Sequence, residues 1–454
     1  MKILFVSKDL IAGNLAHLLK KEGHQVKLYI EEKDARKSFD NLVPKTNDWR
    51  KELKWVGTDG LIIFDDCGYG RIQDRLREEG YTVFGGSEFG DMLETDREFG
   101  HKAFTEAGLK TVELKNFFDI RSAINYVKAN PKRWVVKFNN HSVKSLTYTG
   151  NFKDSRDVVN ILETYDRNQL LSDSEITLQE YIDGIEMGVG RFFNGTDWVG
   201  PIEINFEHTR FFPGDIGPVT TEMGTLAWYE SNEKNKLFQD TLQKMKPFLQ
   251  KCNFRGDFSI NCIVNKDGAL PLEATARFGT PIVHLQTELH ESPWGEFLYA
   301  VAKGEQYDLK WKKGYGVVVM LAAPPFPYTY KLEKHSLNNI DIYFDERMKK
   351  DDMEHVHFEE VALREETDDQ YFISDSRGYI MYVTGVADTV EQARNKVYRI
   401  VRNIHIPKVF YRHDIGAKFV RQDYEKLVKW GYLNKKISAF IFSDEGVALM
   451  VGRR

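Results

Sequence analysis

The sequence has few of the features that mark extracellular, membrane-bound or nucleic-acid-binding proteins. Only three cysteines occur in 454 residues, and their spacing fits neither a metal site nor a disulfide framework, so we expect a reducing compartment. There is no run of 18 apolar residues, and the opening MKILFVS lacks the pattern of a signal peptide. The formal net charge of −5 argues against a general nucleic-acid binder. We therefore expect a soluble protein of the cytoplasm that binds neither nucleic acid nor membrane.

Low-complexity stretches and internal repeats are also lacking, so the chain is not a solenoid or an array. What is present is a hydrophobic fraction of 42% with 13% aromatic residues, which is ample for packed cores. A chain of this length corresponds to roughly three or four domains.

The first 90 residues show the pattern of a parallel α/β sheet. An apolar strand over residues 2–7, a helix over 10–21 and a strand over 26–30 form a β-α-β opening, and further strands are predicted at 60–64 and 81–84. Ligands bind such sheets at the carboxyl ends of the strands. This places Ser7, Lys8, Asp9 and the turn at 65–68 at a possible substrate edge, although ordinary loop polarity is the better explanation for these loops.

The most informative stretch is FRGDFSINCIVNKDGALPLEATARFGTP at residues 254–281. It predicts two strands joined by a tight turn at 266–268, and we expect this hairpin to place Asp257 and Glu273 side by side. Neighbouring carboxylates are costly unless a cation lies between them, and hard oxygen ligands suit Mg²⁺. Arg255 and Arg277 beside them suit an anion carried by that metal. The alternative is a surface hairpin with solvated charges.

A lysine interrupts another predicted strand, WVVKF, and is expensive to bury without a partner. We expect the head of this lysine, Lys137, to reach an anion or a carboxylate, and a cross-strand ion pair with Glu180 is the simpler alternative. Residues 201–228 are rich in Gly, Pro and Thr and predict a long loop, which in a compact domain is usually functional or mobile.

The predicted elements suggest four segments. We expect an N-terminal α/β domain at 1–95 and a core at 96–313 that includes a lid subdomain at about 120–185. A separate α+β domain follows at 314–420, and a peripheral basic extension at 421–454. The fold class is therefore α/β and α+β multidomain.

In this order of parts the chain resembles the ATP-grasp superfamily and, within it, the phosphoribosylamine–glycine ligase family. The most specific matches are LEATARFGTP, similar to the family's E-x-N-x-R-F-G-D-P, then FPGDIGPVTTEMGT, similar to G-D-x-G-P-N-T-G-G-M-G, and VFYRHDIGAK, similar to Y-Y-R-R-D-I-G. The resemblance implies an ATP-grasp fold with a preATP-grasp N-terminal domain. It also implies amide formation from a carboxylate and an amine through an acylphosphate, a step of purine biosynthesis in that family.

The resemblance further implies cofactors and partners. ATP and Mg²⁺, or Mn²⁺, would be the cofactors, small-molecule carboxylates and amines the substrates, and a monomer or homodimer the working form. Lys137 matches the lysine that contacts phosphate from a strand, Arg97 stands where the family has a lysine with similar work, and Lys144 lies in the lid loop over the phosphates. These cations suit phosphoryl transfer, which needs charge over the oxygens and little else from the protein.

Other roles carry over by position. The segment that contacts adenine in the family corresponds to Gln179, Glu180 and Ile182. The family's acidic residue that binds the ribose corresponds to Glu186. The metal ligands match Asp257, Glu273 and Thr275, and the flanking arginines that act on the reacting groups match Arg255 and Arg277. The acid or amine would be held by Asp215, Thr220, Thr221, Glu222 and Gly279.

The chain departs from the family mainly at the substrate end. The family's glycine-rich G-G-R-E-H-A loop, which helps bind the phosphoribosyl group, is replaced by SKDLIAGNLA, and glycine is what lets a backbone approach a phosphate closely. The family's metal-binding Asn is Thr275 here. Three hypotheses remain: a phosphoribosylamine–glycine ligase, a ligase on the same scaffold with another acid or amine, and a non-catalytic nucleotide-binding protein.

Overall fold

The computed structural model describes residues 1–138, 146–169, 175–328, 337–365 and 367–434. All three cysteines are free thiols. Within the described ranges no helix is both long and apolar enough to cross a membrane. The fold contains three main sheets, which are taken in chain order.

The N-terminal sheet has four parallel strands, as the β-α-β opening predicts, in the order β2-β1-β3-β4. The central strand β3 is apolar and buried throughout, and β1 is apolar and buried between Lys2 and Ser7, as is usual for a parallel sheet covered on both faces. The elements of this region are β1 (Lys2–Ser7), α1 (Gly13–Lys21), β2 (Gln25–Ile30), α2 (Leu53–Val56), β3 (Leu61–Phe64), α3 (Gly70–Glu78), β4 (Val83–Phe84), α4 (Glu88–Thr95) and α5 (Arg97–Glu106).

The next sheet is small and antiparallel, with the order β5-β8-β6-β7. Two helices cover it, and its buried side chains, among them Trp134, Leu162 and Leu178, form an apolar cluster separate from the main core. We call it the small sheet; its elements are β5 (Leu114–Phe117), α6 (Ile120–Ala129), β6 (Trp134–Phe138), β7 (Tyr148–Thr149), α7 (Arg156–Arg167) and β8 (Ile176–Glu180).

The central region contains the predicted hairpin, formed by β14 and β15 around residues 266–267. The segment expected to be a long loop instead contains the end of one long strand, the hairpin β11–β12 and the strand β13. The elements are β9 (Ile185–Asn194), β10 (Trp198–Glu207), β11 (Arg210–Phe212), β12 (Ile216–Val219), β13 (Gly224–Glu230), α8 (Lys236–Asp240), α9 (Leu242–Lys251), β14 (Arg255–Asn265), β15 (Gly268–Thr275), α10 (Ile282–Leu289) and α11 (Trp294–Lys303).

The C-terminal strands continue the central sheet through the pairing of β13 with the first of them. The elements are β16 (Tyr315–Ala322), β17 (Tyr343–Phe344), β18 (Val356–Phe358), β19 (Val361–Leu363), β20 (Tyr371–Ile373), β21 (Tyr379–Ala387), α12 (Val390–Val401), β22 (Ile404–His405) and α13 (Tyr424–Lys429). The large sheet runs β15-β14-β9-β10-β13-β16-β21-β18, with β13 pairing directly with β16. The expected segments 96–313 and 314–420 therefore both contribute strands to this sheet.

The sequence predicted a peripheral C-terminal extension, but the described part of it, residues 421–434, packs against the main core. Tyr424 and Leu427 of α13 are buried in the main core, and the ring of Tyr424 lies 5.9 Å from that of Phe419. Burial of these aromatic and aliphatic side chains fixes the segment onto the large sheet.

Candidate active site

A cleft with a cavity volume of about 100 Å³ lies between the small sheet and the β14–β15 hairpin. It brings together the following residues singled out from the sequence: Arg97, Lys137, Gln179, Glu273, Thr275 and Arg277. Apolar side chains, among them Val112, Leu114, Phe138 and Leu272, line the same cleft. Cations, a carboxylate and a flat apolar surface in one cavity are what a nucleotide site requires.

The strand register places Lys137 in this cleft and separates it from Glu180. Lys137 pairs with Thr177 across β6 and β8, whereas Glu180 pairs with Trp134 at the other end of the strand. The Glu180 carboxylate lies 3.5 Å from Lys132, which also contacts Glu113 at 2.8 Å. The simpler alternative, a Lys137–Glu180 ion pair, is therefore wrong.

The expected adenine and ribose residues divide between the cleft and its surroundings. Gln179 is buried and lines the cleft, but Glu180 and Ile182, at the connection from the small sheet to β9, do not line it. Glu186, on β9, lines a separate cavity with Asp215, while remaining within electrostatic range of Glu273 and Lys137.

Arg97 lies across the cleft from the hairpin because a helix begins there. Asp96 caps α5 by accepting a hydrogen bond from the Phe99 N–H, which separates α5 from α4. Burial lowers the pKa of Arg97, and the nearby Glu273 carboxylate opposes that shift. The Arg97 guanidinium and the Glu273 carboxylate therefore line the same cleft, where they could contact a phosphate group and its bound metal ion respectively.

The hairpin register contradicts the expectation that Asp257 and Glu273 lie side by side. Residue Asn261, not Asp257, is directly opposite Glu273, and a bulge between Asn261 and Cys262 shifts the pairing by one residue. Asp257 lies four residues further along β14, which is about 13 Å at the usual strand rise. It therefore cannot share a metal ion with Glu273.

Asp257 belongs instead to a buried polar cluster under α10. The side-chain amide of Gln286 donates to Asp257 Oδ2 at 3.0 Å and to Glu203 Oε2 at 2.8 Å. Burial raises the pKa of Asp257 to about 7, and burial together with the Asp257 charge raises that of Glu203 to about 7. The two carboxyl groups share a donor and stabilise the packing of α10 on the large sheet.

The residues around Glu273 fit a divalent cation. The buried Oδ1 of Asn261 has no hydrogen-bond partner in the described ranges, and Thr275 lines the cleft two residues beyond Glu273 on the same face. A carboxylate, an amide oxygen and a hydroxyl are hard oxygen donors. No group of three or more His, Cys, Asp or Glu side chains suited to a metal occurs among the described residues, so phosphate and water would complete the shell, as is usual for Mg²⁺.

Arg277 connects the cleft to the N-terminal sheet. Its guanidinium contacts Glu94 at 2.9 Å and Asp66 at 3.4 Å, and Glu94 also accepts the backbone N–H of Ala276. Burial opposes the charge of Arg277, but Glu94 and Asp66 raise its pKa above the usual value. Arg277 thus remains a fixed cation at the substrate edge of the cleft.

Arg255 does not flank Glu273, which corrects the second expectation for the hairpin. It lies at the start of β14, opposite Asn194, and donates to the carbonyl of Ala302 at 2.6 Å and to Asn253 Oδ1 at 3.0 Å. These contacts attach α11 to the strand, a structural role.

The remaining expected substrate residues lie on the β11–β12 hairpin and beside it. Asp215 contacts Arg412 at 2.9 Å, Thr220 donates to the Thr209 carbonyl and Thr221 to the Tyr379 hydroxyl, and buried Glu222 accepts from Thr225. The Gly279 carbonyl accepts the Val283 N–H at the start of α10, outside the cleft lining. Lys144 lies outside the described residues.

Sequence reasoning missed Asn261, Glu207 and Glu94. Asn261 donates from Nδ2 to Glu207 Oε1 at 3.0 Å, so Glu207 on β10 lies one side chain away from Glu273. Strand periodicity offered a signal, because Asn261 shares a face with Asp257 and lies nearer the turn. Glu94 had no signal, since its role depends on a long-range contact with Arg277.

Comparisons with known proteins agree with this geometry. Residues 95–283 match the sequence family "Phosphoribosylglycinamide synthetase, ATP-grasp (A) domain", and residues 316–418 match "Phosphoribosylglycinamide synthetase, C domain". Among curated relatives, the phosphoribosylamine–glycine ligase of Fusobacterium nucleatum is 24% identical over 418 residues, covering 86% of this chain and 91% of that protein. The Helicobacter pylori enzyme of the same name is 26% identical over 361 residues, covering 76% and 79%.

Solved structures show the same fold at low sequence identity. Phosphoribosylamine–glycine ligase from Thermotoga maritima aligns with a TM-score of 0.68 at 18% identity, covering 91% of this chain and 100% of that one. Biotin carboxylase from Campylobacter jejuni, solved with a nucleotide, aligns with a TM-score of 0.62 at 12% identity, covering 94% and 98%. The fold is therefore shared with enzymes of different substrates.

Proposed function

Because the chain belongs to the phosphoribosylglycinamide synthetase family of ATP-grasp proteins, we propose that it is an ATP-dependent carboxylate–amine ligase. The observation that carries the proposal is the convergence of Lys137 and Arg97 on the side of the cleft that faces Glu273 and Asn261. These residues come from three separate elements: the small sheet, α5 and the hairpin. The packing of any one of these elements does not require the charged side chains to lie together.

Each part of the cleft supplies one requirement of the reaction. The apolar wall accepts the adenine ring, and Lys137 and Arg97 neutralise phosphate oxygens. Glu273, with Asn261 and Thr275, would hold a divalent ion, Mg²⁺ or Mn²⁺, which neutralises charge on the transferred phosphoryl group when bound. The chain's own residues thus position the nucleotide for attack by a carboxylate.

The ligation then has two steps. The carboxylate attacks the γ-phosphorus of ATP, giving an acylphosphate and ADP, and the amine attacks the acyl carbon as phosphate leaves. Arg277, fixed by Glu94 and Asp66, is a cation at the edge where the acid's carboxylate would enter. A positioned guanidinium of this kind orients a carboxylate and lowers the entropic cost of attack.

Glycine and phosphoribosylamine, in purine biosynthesis, are the first candidate substrates, because the curated relatives carry that name. Another acid or amine is the second candidate, and the N-terminal edge favours it. There the Ser7 hydroxyl donates to Asp65, and Asp9 is bound by Arg377, so a phosphate would meet carboxylates rather than a glycine-rich loop. A cytoplasmic monomer or homodimer is the expected working form. A non-catalytic nucleotide-binding role is disfavoured by the intact set of Lys137, Arg97 and Glu273.

The test is ADP release with defined substrates. The protein is incubated with ATP, Mg²⁺, glycine and phosphoribosylamine, each omitted in turn, and ADP and phosphate are measured. Release that needs both substrates supports the glycine ligase. Release only with other amino acids or amines supports the second candidate, and nucleotide binding without release across a broad panel overturns ligase activity.

A further inference from the structure

Two helices of the described range 1–138 begin at the carboxyl edge of the N-terminal sheet without a local cap. Helices α1 and α3 follow β1 and β3, and the side chains of their cap residues, Ala12 and Tyr69, accept no hydrogen bond from the first turn. By contrast, Ser87 and Asp96 cap the neighbouring helices α4 and α5 in the usual way. In ligand-binding sheets of this type, free N–H groups at such helix starts form the cradle for a phosphate.

A distant aspartate fills the N-terminus of α3. The backbone N–H groups of Gly68 and Gly70 both donate to Asp91 Oδ2 at 2.7 Å, across 23 and 21 residues of sequence. Gly68 has a φ of +102°, and a side chain at Gly70 would meet the backbone of Ser87, so this turn requires glycine. Two converging N–H groups in a glycine turn are a geometry that binds an anion, and here the anion belongs to the chain itself.

A second aspartate fills the N-terminus of α1 in the same manner. Asp65 is fully buried, and its Oδ2 accepts the Ala12 N–H at 3.0 Å and the Ser7 hydroxyl at 2.7 Å. Burial raises the pKa of Asp65 to about 7 and that of Asp91 to about 6. Because a carboxyl group accepts hydrogen bonds with or without its proton, both helix N-termini stay occupied at neutral pH.

The second oxygen of Asp91 indicates which group this edge can accept. Asp91 is 8% exposed, and its Oδ1 has no hydrogen-bond partner among the described residues. A buried acceptor without a partner is satisfied by an N–H or O–H donor, which an ionised phosphate does not supply. One oxygen of Asp91 therefore occupies the N–H groups that a phosphate needs, and the other oxygen requires a donor.

The cations of this edge do not restore a phosphate site. The Arg377 guanidinium is shared by three carboxylates, those of Asp9, Glu359 and Glu360. Lys8 Nζ donates to a backbone carbonyl at 3.4 Å. A flexible lysine is a point charge and cannot replace a fixed cradle of N–H groups.

The filled helix N-termini lie beside the nucleotide cleft. Glu94, one turn from Asp91 on α4, lines the cleft and contacts Arg277 at 2.9 Å. Arg277 also contacts Asp66, in the turn that leads to α3, at 3.4 Å. A substrate that extends from Arg277 toward the N-terminal sheet would therefore meet the two aspartates rather than free N–H groups.

We propose that Asp65 and Asp91 are specificity-determining residues that exclude phosphate from this edge, so that the amine substrate carries no phosphate group. The inference rests on the proposed ligase function and narrows its substrate class. The cause is occupancy, because the N–H groups that would bind a phosphate already have an acceptor. If the aspartates served only as helix caps, removing one would cost stability and create no phosphate site.

A binding experiment tests the exclusion without any turnover. Calorimetric titration uses the protein saturated with ADP and Mg²⁺, which blocks the nucleotide cleft, with ribose 5-phosphate as the probe and ribose as its phosphate-free control. The wild type should show no binding of ribose 5-phosphate up to about 10 mM. Asp91→Ala should bind ribose 5-phosphate, but not ribose, with a Kd of about 1 mM or lower, because two N–H groups become free.

The matched control is Asp91→Asn, whose amide oxygen still accepts from the Gly68 and Gly70 N–H groups and should exclude ribose 5-phosphate as the wild type does. Binding by the wild type overturns the proposal, and so does absence of binding in a folded Asp91→Ala. Equal binding by Asp91→Ala and Asp91→Asn overturns occupancy as the cause. Asp65→Ala, with the same expected gain at α1, replaces Asp91→Ala if that variant does not fold.

Kinetics separate this inference from the proposed function. With ATP, Mg²⁺ and glycine, we expect phosphoribosylamine to add nothing to the rate of ADP release measured without an amine. Saturable turnover of phosphoribosylamine with a KM below about 1 mM contradicts the exclusion and supports the ligase. Absence of ADP release with every acid and amine overturns the ligase, and the titrations then still decide whether the edge excludes phosphate.

Discussion

Asn261 lies directly opposite Glu273 in the β14–β15 hairpin, and its amide connects that carboxylate edge to Glu207. Of the two paired hairpin positions, only Glu273 carries a carboxylate, and Asn261 offers an amide oxygen where a second carboxylate was expected. An arrangement with one carboxylate suits an ion that arrives with its own anionic ligands, such as a nucleotide-bound Mg²⁺.

Replacing Glu273 by Gln should lower the rate of ADP formation by about 100-fold or more, because the transferred phosphoryl group loses the charge that the bound ion supplies. The rate is measured with saturating ATP across a range of Mg²⁺ concentrations. The matched control is Asp257→Asn, which should keep the Mg²⁺ dependence of the wild type. A loss of Mg²⁺ dependence in Asp257→Asn, with wild-type rates in Glu273→Gln, would assign the ion to Asp257 instead.

Replacing Lys137 by Met should weaken ATP binding about tenfold or more, since a charge-assisted contact with phosphate is lost. Binding of AMP, which lacks the outer phosphates, should change little because the apolar wall of the cleft is intact. Calorimetric titration of each nucleotide measures both values. Equal losses for AMP and ATP would place Lys137 away from the outer phosphates.

Replacing Arg277 by Met should lower the free energy of unfolding by about 3 kcal/mol, because Glu94 is left buried without its cation. Urea unfolding followed by tryptophan fluorescence measures the change. Arg71→Met is the comparison, since the Arg71–Glu88 pair lies at the surface and should contribute little. Equal stability of the two variants would show that Arg277 does not fix the N-terminal sheet to the cleft.

The buried Glu288 should make stability fall in acid. Burial alone raises its pKa, but the hydrogen bond and charge of His355, 2.7 Å away, with Lys312, lower it from 4.5 to about 2. A depressed pKa stabilises the fold above the unfolded value, and this contribution of about 3 kcal/mol is lost as the pH falls from about 4.5 toward 2. The stability difference between the wild type and Glu288→Gln should therefore shrink over that range.

The control for this pH dependence is Glu291→Gln, an exposed glutamate at the end of α10. Its difference from the wild type should stay constant between pH 5 and 2.5 in the same urea titrations. A Glu288→Gln difference that stays equally constant would show that the His355 contact does not depress the pKa.

Local sequence patterns were sufficient for much of the fold. The apolar runs at the N-terminus predicted the parallel sheet, and the turn at 266–268 predicted the hairpin. Local patterns failed where distant segments meet. The pairing of β13 with β16 joins segments about ninety residues apart, and no periodicity within either strand reveals its neighbour.

The candidate site was predicted in part, for the same reason. Lys137, Arg97 and Glu273 were identified from residue type and resemblance, and the cleft contains them. Asp257 and Arg255 were misplaced because residue type alone does not fix the register, and even without the bulge Glu273 would pair with Ile260, three residues from Asp257. Counting back from the turn gives Leu272 as the partner of Asn261, and the bulge moves that partner to Glu273.

The separate apolar cluster of the small sheet has a consequence for nucleotide exchange. Trp134 and Leu162 contact side chains of their own sheet rather than the main core, so a tilt of this sheet exposes almost no buried hydrocarbon to water. The gap between Lys137 and Glu273 can then widen and narrow at little cost in free energy. Such a movement would let nucleotide leave and enter while both apolar clusters stay packed.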